Sequence, residues 1–378
     1  MTRKQFLILL GLLAVLVVAG GWVMYSQRSD WRSSDARVGQ RLVPGLIVAN
    51  VAEIRVQEAA NEVTLQRRNG SWHVRERLDF PANVERIGEL LAKLAELKVT
   101  QVEPLGEKQR PRLDLVEPNS ADAKNAGTLL GLKDKDGKSI SRLLLGKKVL
   151  KQSQTSVPTK GTPDPTGRYV VGAEKDTVVV VSDPLSNVEA KPAPWLARDL
   201  VRVPGAKTMT SLTGDGRVRW TVTRSSESAD WKFADSSQPL DNNKLQDLVS
   251  VLIYVALADV ASDPSKAGFE QGVTLKIDTF HNTHYTLQMG RQEGDLRYMR
   301  VALTGDPPKT RTPGKDESPE DKEKKDKEFE ENYKGQLMQL EREGKLKGWT
   351  YLVRNSDIES LLRERGQLLP QKKDEKAK

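Results

Sequence analysis

Histidine is scarce in this chain. His73, His281 and His284 are the whole set among 378 residues. His281 and His284 stand three apart, a spacing that puts two imidazoles on one face of a helix and lets them share a metal ion. A zinc centre needs three or four protein ligands, and no Asp, Glu or Cys cluster accompanies the pair. The surrounding "DTFHNTHY" lies between two alternating strands. The pair therefore reads as a polar hairpin turn, and neither metal nor cofactor is expected.

Other constellations are equally sparse. The chain has no cysteine, which excludes disulfides, thiolate metal sites and a thiol nucleophile. No Gly-x-Ser-x-Gly, phosphate-binding loop or dinucleotide fingerprint occurs. Gly214-Asp215-Gly216 joins alternating strands with no helix behind it, so it reads as a turn. Asp134 and Asp136 bracket another Gly-containing turn and are expected to cap it; acid–base work would need a cleft around them. No catalytic residue is assigned. Two Arg-Tyr pairs, Arg168-Tyr169 and Arg297-Tyr298, recur at similar places and form a candidate binding strip. The other reading is a strand that packs its Tyr inward in both places.

Trp72, in "RRNGSWHV" at 67–74, raises a similar choice in a chain with only 5% aromatic residues. It is either a ligand platform or a structural plug. Asn69-Gly70 just before it favours positive φ and a tight hairpin. Ala52, Ile54 and Val56 alternate with Glu53 and Arg55, and Val63 and Leu65 continue the period of two, as half-buried strands do. Val84, Ile87, Leu90, Leu91, Leu94 and Leu97 then form an apolar helical stripe, with Asn83 as the N-cap. Leu130 to Leu132, Ile140 to Leu145, Tyr169 to Val171 and Val178 to Val181 complete a set of strands.

The second half repeats this order. Val218, Trp220 and Val222 alternate, Trp231 and Phe233 return after a polar turn, and Leu245, Leu248, Val251, Leu252 and Val255 are matched position by position to Val84 through Leu94. "LQMGRQ" follows the plan of "LLLGKK", Tyr298 that of Tyr169, and Trp349 to Val353 that of Val178 to Val181. Trp72 and Trp231 are thus read as structural counterparts in a diverged duplication.

The ends differ from the body. Phe6 to Met24 is an uncharged run of 19 residues, close to the ~20 that span a bilayer as a helix. Arg3 and Lys4 precede it, and Trp22 and Tyr25 lie at its far end. An uncleaved anchor at 6–25 is expected, with a cytoplasmic tail at 1–5; a cleaved signal peptide is the alternative. The net charge of +8 is concentrated in the termini, which leaves about +2 for the middle. No basic face with interleaved aromatics is apparent, so nucleic acid is not an expected partner. The expected divisions are a stalk at 26–45, a first repeat at 46–200, a second at 201–365 and a basic tail at 366–378. The second repeat carries a charged insertion at 306–348. Its start is expected to be disordered and solvated, with a transient or partner-docked helix over Glu328 to Leu340 as the alternative.

The order of these features resembles a bacterial family called domain of unknown function 4340 (DUF4340). The residues that carry the resemblance are "RNGSWHV" at 68–74, "FPANVERIGELLAKLAEL" at 80–97, "DKDGKSISRLLLGKK" at 134–148, "GRYVV" at 167–171 and "WLARDLVRV" at 195–203. Members are similar to components that accompany ABC-type transport systems of the gliding-motility kind. The resemblance implies an accessory role at the envelope and brings no catalytic residues; the insertion at 306–348 departs from the pattern.

The expected fold is α+β: an N-terminal transmembrane helix and two tandem repeats, each a mainly antiparallel sheet with one packed amphipathic helix. The expected function is a non-catalytic, single-pass membrane protein with its bulk outside the cytoplasmic membrane. It would bind or assemble an envelope partner, an ABC-type transporter among the options. The alternatives are an envelope hydrolase acting on cell-wall material and a structural spacer.

Overall fold

The computed structural model describes residues 36–119, 123–150, 164–172, 177–314 and 317–370. The anchor expected at 6–25, the tail at 1–5, the first half of the stalk and the last eight residues lie outside them. Among the described residues no helix is long and apolar enough to cross a membrane. The fold is α+β with antiparallel ladders between its strands. Its described residues divide into two compact units, one from 36–68 and 85–190, the other from 69–84 and 191–370.

The first half of the chain contains β1 (Glu53–Gln57), β2 (Glu62–Arg68), β3 (Ser71–Val74), β4 (Phe80–Pro81), α1 (Val84–Glu96) and β5 (Val99–Glu103), then β6 (Thr128–Lys133), β7 (Ser139–Leu150), β8 (Pro165–Val171) and β9 (Val178–Val181). The sheet of the first unit runs β2-β1-β6-β7-β8-β9-β5. Its register explains the alternation in the sequence. Ile54 stands opposite Leu65 on one side and Leu132 on the other, and Val56 stands opposite Val63 and Leu130. These six side chains are almost fully buried, and such cross-strand rows are the unit of sheet stability. All four valines of β9 are buried, as expected for a strand covered on both faces. Helix α1 buries Ile87, Leu90, Leu91 and Leu94, while Val84 is 61% exposed at its first turn.

The second half contains β10 (Asp199–Val201), β11 (Ala206–Thr213), β12 (Val218–Thr223), β13 (Lys232–Phe233), α2 (Asn242–Ile253), β14 (Val255–Ala256) and β15 (Asp259–Val260). Then come β16 (Val273–Thr279), β17 (Thr283–Glu293), β18 (Leu296–Gly305), α3 (Pro319–Gly344) and β19 (Tyr351–Arg354). The large sheet runs β13-β12-β11-β16-β17-β18-β19-β15, with β10 and β14 paired apart from it. Strand for strand, β2-β1-β6-β7-β8-β9-β5 and β12-β11-β16-β17-β18-β19-β15 follow one order.

The helices correspond too, but one turn away from the match expected from sequence. The buried residues of α2 are Leu245, Leu248, Val249 and Leu252, in the spacing of Ile87, Leu90, Leu91 and Leu94. Leu245 therefore answers to Ile87, not to Val84. Val255 lies beyond the helix, in β14, and answers to Leu97. A stripe of period 3.6 nearly superimposes on itself after a shift of three residues, so the apolar pattern alone could not reject the wrong alignment. The cap residues agree with the new one: Asp241 accepts hydrogen bonds from the N–H groups of Asn243 and Lys244, and Asn83 precedes α1.

Three expected boundaries move. Residues 69–84 belong with the second unit, not the first. There β3 pairs with β4, and Phe80 meets Trp349 and Tyr351 edge-on at centroid separations of 5.0 and 6.0 Å. Arg77 donates to both carboxylate oxygens of Asp259 at 2.7 and 2.8 Å, and the Asn83 N–H donates to the Trp195 carbonyl at 2.7 Å. The stalk ends early, because Gly39 and Leu42 donate their N–H groups to the Val99 and Leu97 carbonyls and Val43 is buried. The tail starts late: Leu368 is fully buried and the Leu369 carbonyl accepts from Lys244 Nζ.

The charged insertion is a correction as well. It forms the longest helix among the described residues, α3, from Pro319 and not from Glu328. Ser318 caps it by accepting from the Asp321 N–H, Pro319 occupies the first turn, and Glu320 and Asp321 lie where the helix dipole favours acids. Before it, Arg311 is held by both oxygens of Glu317 at 2.6 and 2.7 Å and by Asp326 at 2.8 Å. Local capping and paired charge supply what the low apolar content does not.

Candidate functional site

The histidines do not meet around a common centre. His284 Nδ1 lies 2.6 Å from Asp278 Oδ1 across the β16–β17 hairpin, and His281 Nε2 lies 3.7 Å from Glu227 Oε1. Among the described residues no group of three or more His, Asp or Glu side chains could hold a metal ion. Asp134 caps its turn: Oδ1 accepts from the N–H groups of Asp136 and Lys138 at 3.0 and 2.9 Å.

The two Arg-Tyr pairs share a local architecture. Strand β7 shifts register against β8 between Leu145 and Lys148, and β17 shifts against β18 between Met289 and Gln292. Each bulge withdraws a glycine carbonyl from the ladder, and each Arg takes it up. Arg168 Nε donates to the Gly146 carbonyl at 2.8 Å, and Arg297 Nη1 donates to the Gly290 carbonyl at 2.7 Å. Arg168 is 8% exposed and also reaches the Leu185 carbonyl at 3.3 Å; burial lowers its basicity, and the charge of Glu58 opposes that. Tyr169 packs on Leu115, Leu144, Val171 and Val178. Tyr298 packs on Ala261 and Ala267 and donates its hydroxyl to Glu293 at 2.5 Å. Arg297 is less enclosed. Together with Asp247, Asn355, Asp357 and Arg363 it lines a mixed-charge cavity of about 660 Å³. The pairs brace bulges in their own units, and all four side chains are engaged in internal packing or hydrogen bonding.

A different region of the second unit has the properties of a binding groove. Helix α2 stops at Ile253, and Tyr254 leaves helical geometry at φ −142 and ψ 58 and is 72% exposed. Val255 then pairs with Val201 in the β10–β14 ladder, which sets Arg198 and Arg202 beside the helix end. The Arg202 guanidinium carbon lies 5.5 Å from the Tyr254 ring centroid, within cation–π range. The last turns of α3 complete the walls. A cavity of about 150 Å³ is lined by Arg198, Arg202, Tyr254, Arg342 and Glu343. A groove of about 540 Å³ shares Arg202, Ile253 and Arg342 with it and adds Val203, Pro204, Met338 and Gln339.

Beneath this surface α3 is anchored by one polar cluster. Gln339 Nε2 lies 3.0 Å from each of the Arg202 carbonyl, Tyr285 Oη and Glu343 Oε1. Glu343 is 2% exposed; Arg342 Nη2 approaches Oε1 at 3.3 Å, and Oε2 is buried without a hydrogen-bond partner among the described residues. Burial raises the Glu343 carboxyl above its ordinary range, against the opposing hydrogen bonds from Gln339 and Arg342. Burial also raises the Tyr285 phenol, and the negative charge of Glu343 adds to it. Both groups are therefore held in their neutral forms over a wider pH range than in water.

None of Arg198, Arg202, Tyr254, Met338 or Glu343 stands out by type or spacing in the sequence. The nearest signals are an exposed-type aromatic directly after the apolar stripe of α2 and the two arginines within "WLARDLVRV".

The family described as domain of unknown function (DUF4340) matches residues 72–272, a little over half the chain. The match includes Arg198, Arg202 and Tyr254 and ends before α3. No curated protein and no solved structure matches the chain.

Proposed function

Because the chain belongs to the DUF4340 family, which carries no assigned activity, we propose a function from its own features: a non-catalytic, single-pass membrane protein that binds or assembles a partner outside the cytoplasmic membrane. An ABC-type transporter or another cell-envelope complex is the partner we favour. The uncharged run Phe6 to Met24, behind Arg3 and Lys4, supports the anchor. The common strand order and the matching buried positions of α1 and α2 support a duplicated body. The observation that carries the binding role is the groove. Ile253, Tyr254 and Met338 are 40, 72 and 67% exposed beside three arginines, and clustered exposed apolar side chains mark interaction sites.

The test is purification of the full-length chain from membranes in mild detergent. A transporter component that co-purifies, and is lost on deletion of residues 1–25 or on Tyr254→Ala with Met338→Asp, is the expected outcome. Recovery as a lone monomer refutes the assembly role. Protease access in intact cells and in spheroplasts reports which side of the membrane holds the body.

One observation favours the envelope-hydrolase reading. Glu343 lines the inner cavity with a raised carboxyl and meets Tyr285 through Gln339, and a general acid requires such a proton-retaining carboxyl. Hydrolysis of cell-wall material that disappears in Glu343→Gln would establish that reading in place of the first.

A further inference from the structure

The two compartments of the groove differ in chemistry. The inner one, about 150 Å³, counts Arg198, Arg202, Arg342 and Glu343 among its lining residues, with Tyr254 and Ile253 beside them. The outer one, about 540 Å³, is walled by Val203, Pro204, Ile253 and Met338. Neither Arg198 nor Arg202 has a hydrogen bond or ion pair to its guanidinium among the described residues; Arg202 has only the Tyr254 ring. Glu343 is the one carboxyl among the lining residues, and its Oε1 is already engaged by Gln339 and Arg342. The inner compartment therefore holds a surplus of positive charge in planar forks suited to carboxylate or phosphate oxygens.

Its size limits the occupant. One water needs ~10–15 Å³ of such space, so the inner compartment, at about 150 Å³, has room for a small anionic group. Apart from the rim arginines and Gln339, whose amide nitrogen is committed beneath it, the residues that line the outer compartment carry no polar side chain. A peptide laid there would bury N–H and C=O groups without partners; a hydrocarbon chain would not.

We infer that the groove binds an anionic amphiphile, with its carboxylate or phosphate head among Arg198, Arg202 and Arg342 and its hydrocarbon chain along Val203, Pro204, Ile253 and Met338. The occupant is either a free long-chain anion or an anionic membrane lipid; the head-and-chain chemistry is common to both. This rests on the reading of the groove as the protein's binding site and names the ligand class for it.

The absence of cysteine makes a clean test possible. Met338→Cys, at a position 67% exposed, places a single thiol in the outer compartment of the full-length chain. The chain is reconstituted in phosphatidylcholine vesicles, and the rate of thiol alkylation is followed. Dodecanoate is expected to slow alkylation at least tenfold, while hexanoate, inorganic phosphate and dodecyltrimethylammonium leave it unchanged. Adding Arg198→Ala and Arg202→Ala to Met338→Cys should remove the protection, with an unchanged thermal midpoint. Protection by phosphatidylglycerol in the vesicles, without dodecanoate, identifies the membrane lipid as the source; protection by dodecanoate alone identifies the free anion. Equal protection by dodecyltrimethylammonium, protection by phosphate alone, or protection that survives loss of both arginines overturns the inference. If no amphiphile protects while partner retention still depends on Tyr254 and Met338, the ligand class is wrong and the binding role stands. If neither depends on the groove, both fall.

Discussion

Gly146→Ala tests the packing behind the paired bulges most directly. A Cβ at Gly146 would stand 2.4 Å from the Leu113 carbonyl oxygen and 2.8 Å from Leu115 Cγ and Cδ2. Carbon and carbonyl oxygen approach no closer than roughly 3.3 Å in ordinary contacts, so backbone must yield by roughly 1 Å. Overpacking of this kind costs about 1–3 kcal/mol. Movement of Gly146 also loosens the 2.8 Å bond from Arg168 Nε to its carbonyl, and a hydrogen bond from a charged donor contributes about 1.5–3 kcal/mol. With partial relaxation the two effects together come to about 2–5 kcal/mol, or roughly 4–20 °C in melting temperature for a unit of this size. Gly290→Ala should behave alike, since its Cβ would lie 2.2 Å from the Ala267 carbonyl oxygen. Gly131→Ala in the neighbouring strand β6 is the control, with nothing within 4 Å of the added carbon. The assay is thermal and urea unfolding of the full-length chain by circular dichroism. If Gly146→Ala melts within a degree or two of Gly131→Ala, the account of the bulge is wrong.

Trp72 is 8% exposed; burying ~200 Å² at ~25 cal/mol/Å², reduced for a compact unfolded chain, gives about 3–5 kcal/mol lost in Trp72→Ala. A change near zero in the same unfolding assay would restore the ligand-platform reading. Arg77→Ala breaks a bidentate pair with Asp259 in which both side chains are 19% exposed, and a loss of about 1–3 kcal/mol is expected; stability equal to wild type would show that the pair does not hold residues 69–84 in the second unit. The carboxylates at the two ends of α3 give opposite pH dependences. Glu317, lowered to about 2 chiefly by its hydrogen bond to Arg311, stabilises the fold above about pH 4.5 and loses that contribution as pH falls toward 2. Glu343 is raised, so its contribution is full below about 4.5 and is lost as pH rises through its folded value. Glu343→Gln should therefore flatten the decline of stability above pH 4.5, and Glu317→Gln the decline below it; unfolding curves from pH 2 to 8 that keep the wild-type slopes would contradict both.

Helix α3 shows how local and tertiary information divide. Its cap, its first-turn acids and its Glu-Lys pairs, such as Glu330 with Lys334 at 2.7 Å, are all written in adjacent residues. A count of apolar side chains overlooks them and suggests disorder. That its last turns would settle on the Arg202 carbonyl and Tyr285 depends on residues far away in the chain. Glu343 reads locally as one more solvated acid of a charged helix, and becomes a buried, proton-retaining group only through that docking.

By itself the sequence determined whatever repeats at short range. Period-two alternation marked the strands, a 3.6-residue stripe marked α1 and Asn69-Gly70 marked its turn, whereas Trp72 and Trp231, matched as counterparts in two repeats, both lie in the second unit. These follow because burial on one face imposes its period on neighbouring residues. Tertiary structure alone decided the helix register, because a stripe shifted by one turn still matches itself. It also decided that residues 69–84 join the second unit, that Arg168 and Arg297 brace glycine carbonyls at bulges, and that Arg198, Arg202, Tyr254 and Met338 line one groove. Each depends on which distant segments meet, and side-chain types along the chain carry no record of which partner will supply a missing hydrogen bond or leave a charge without one.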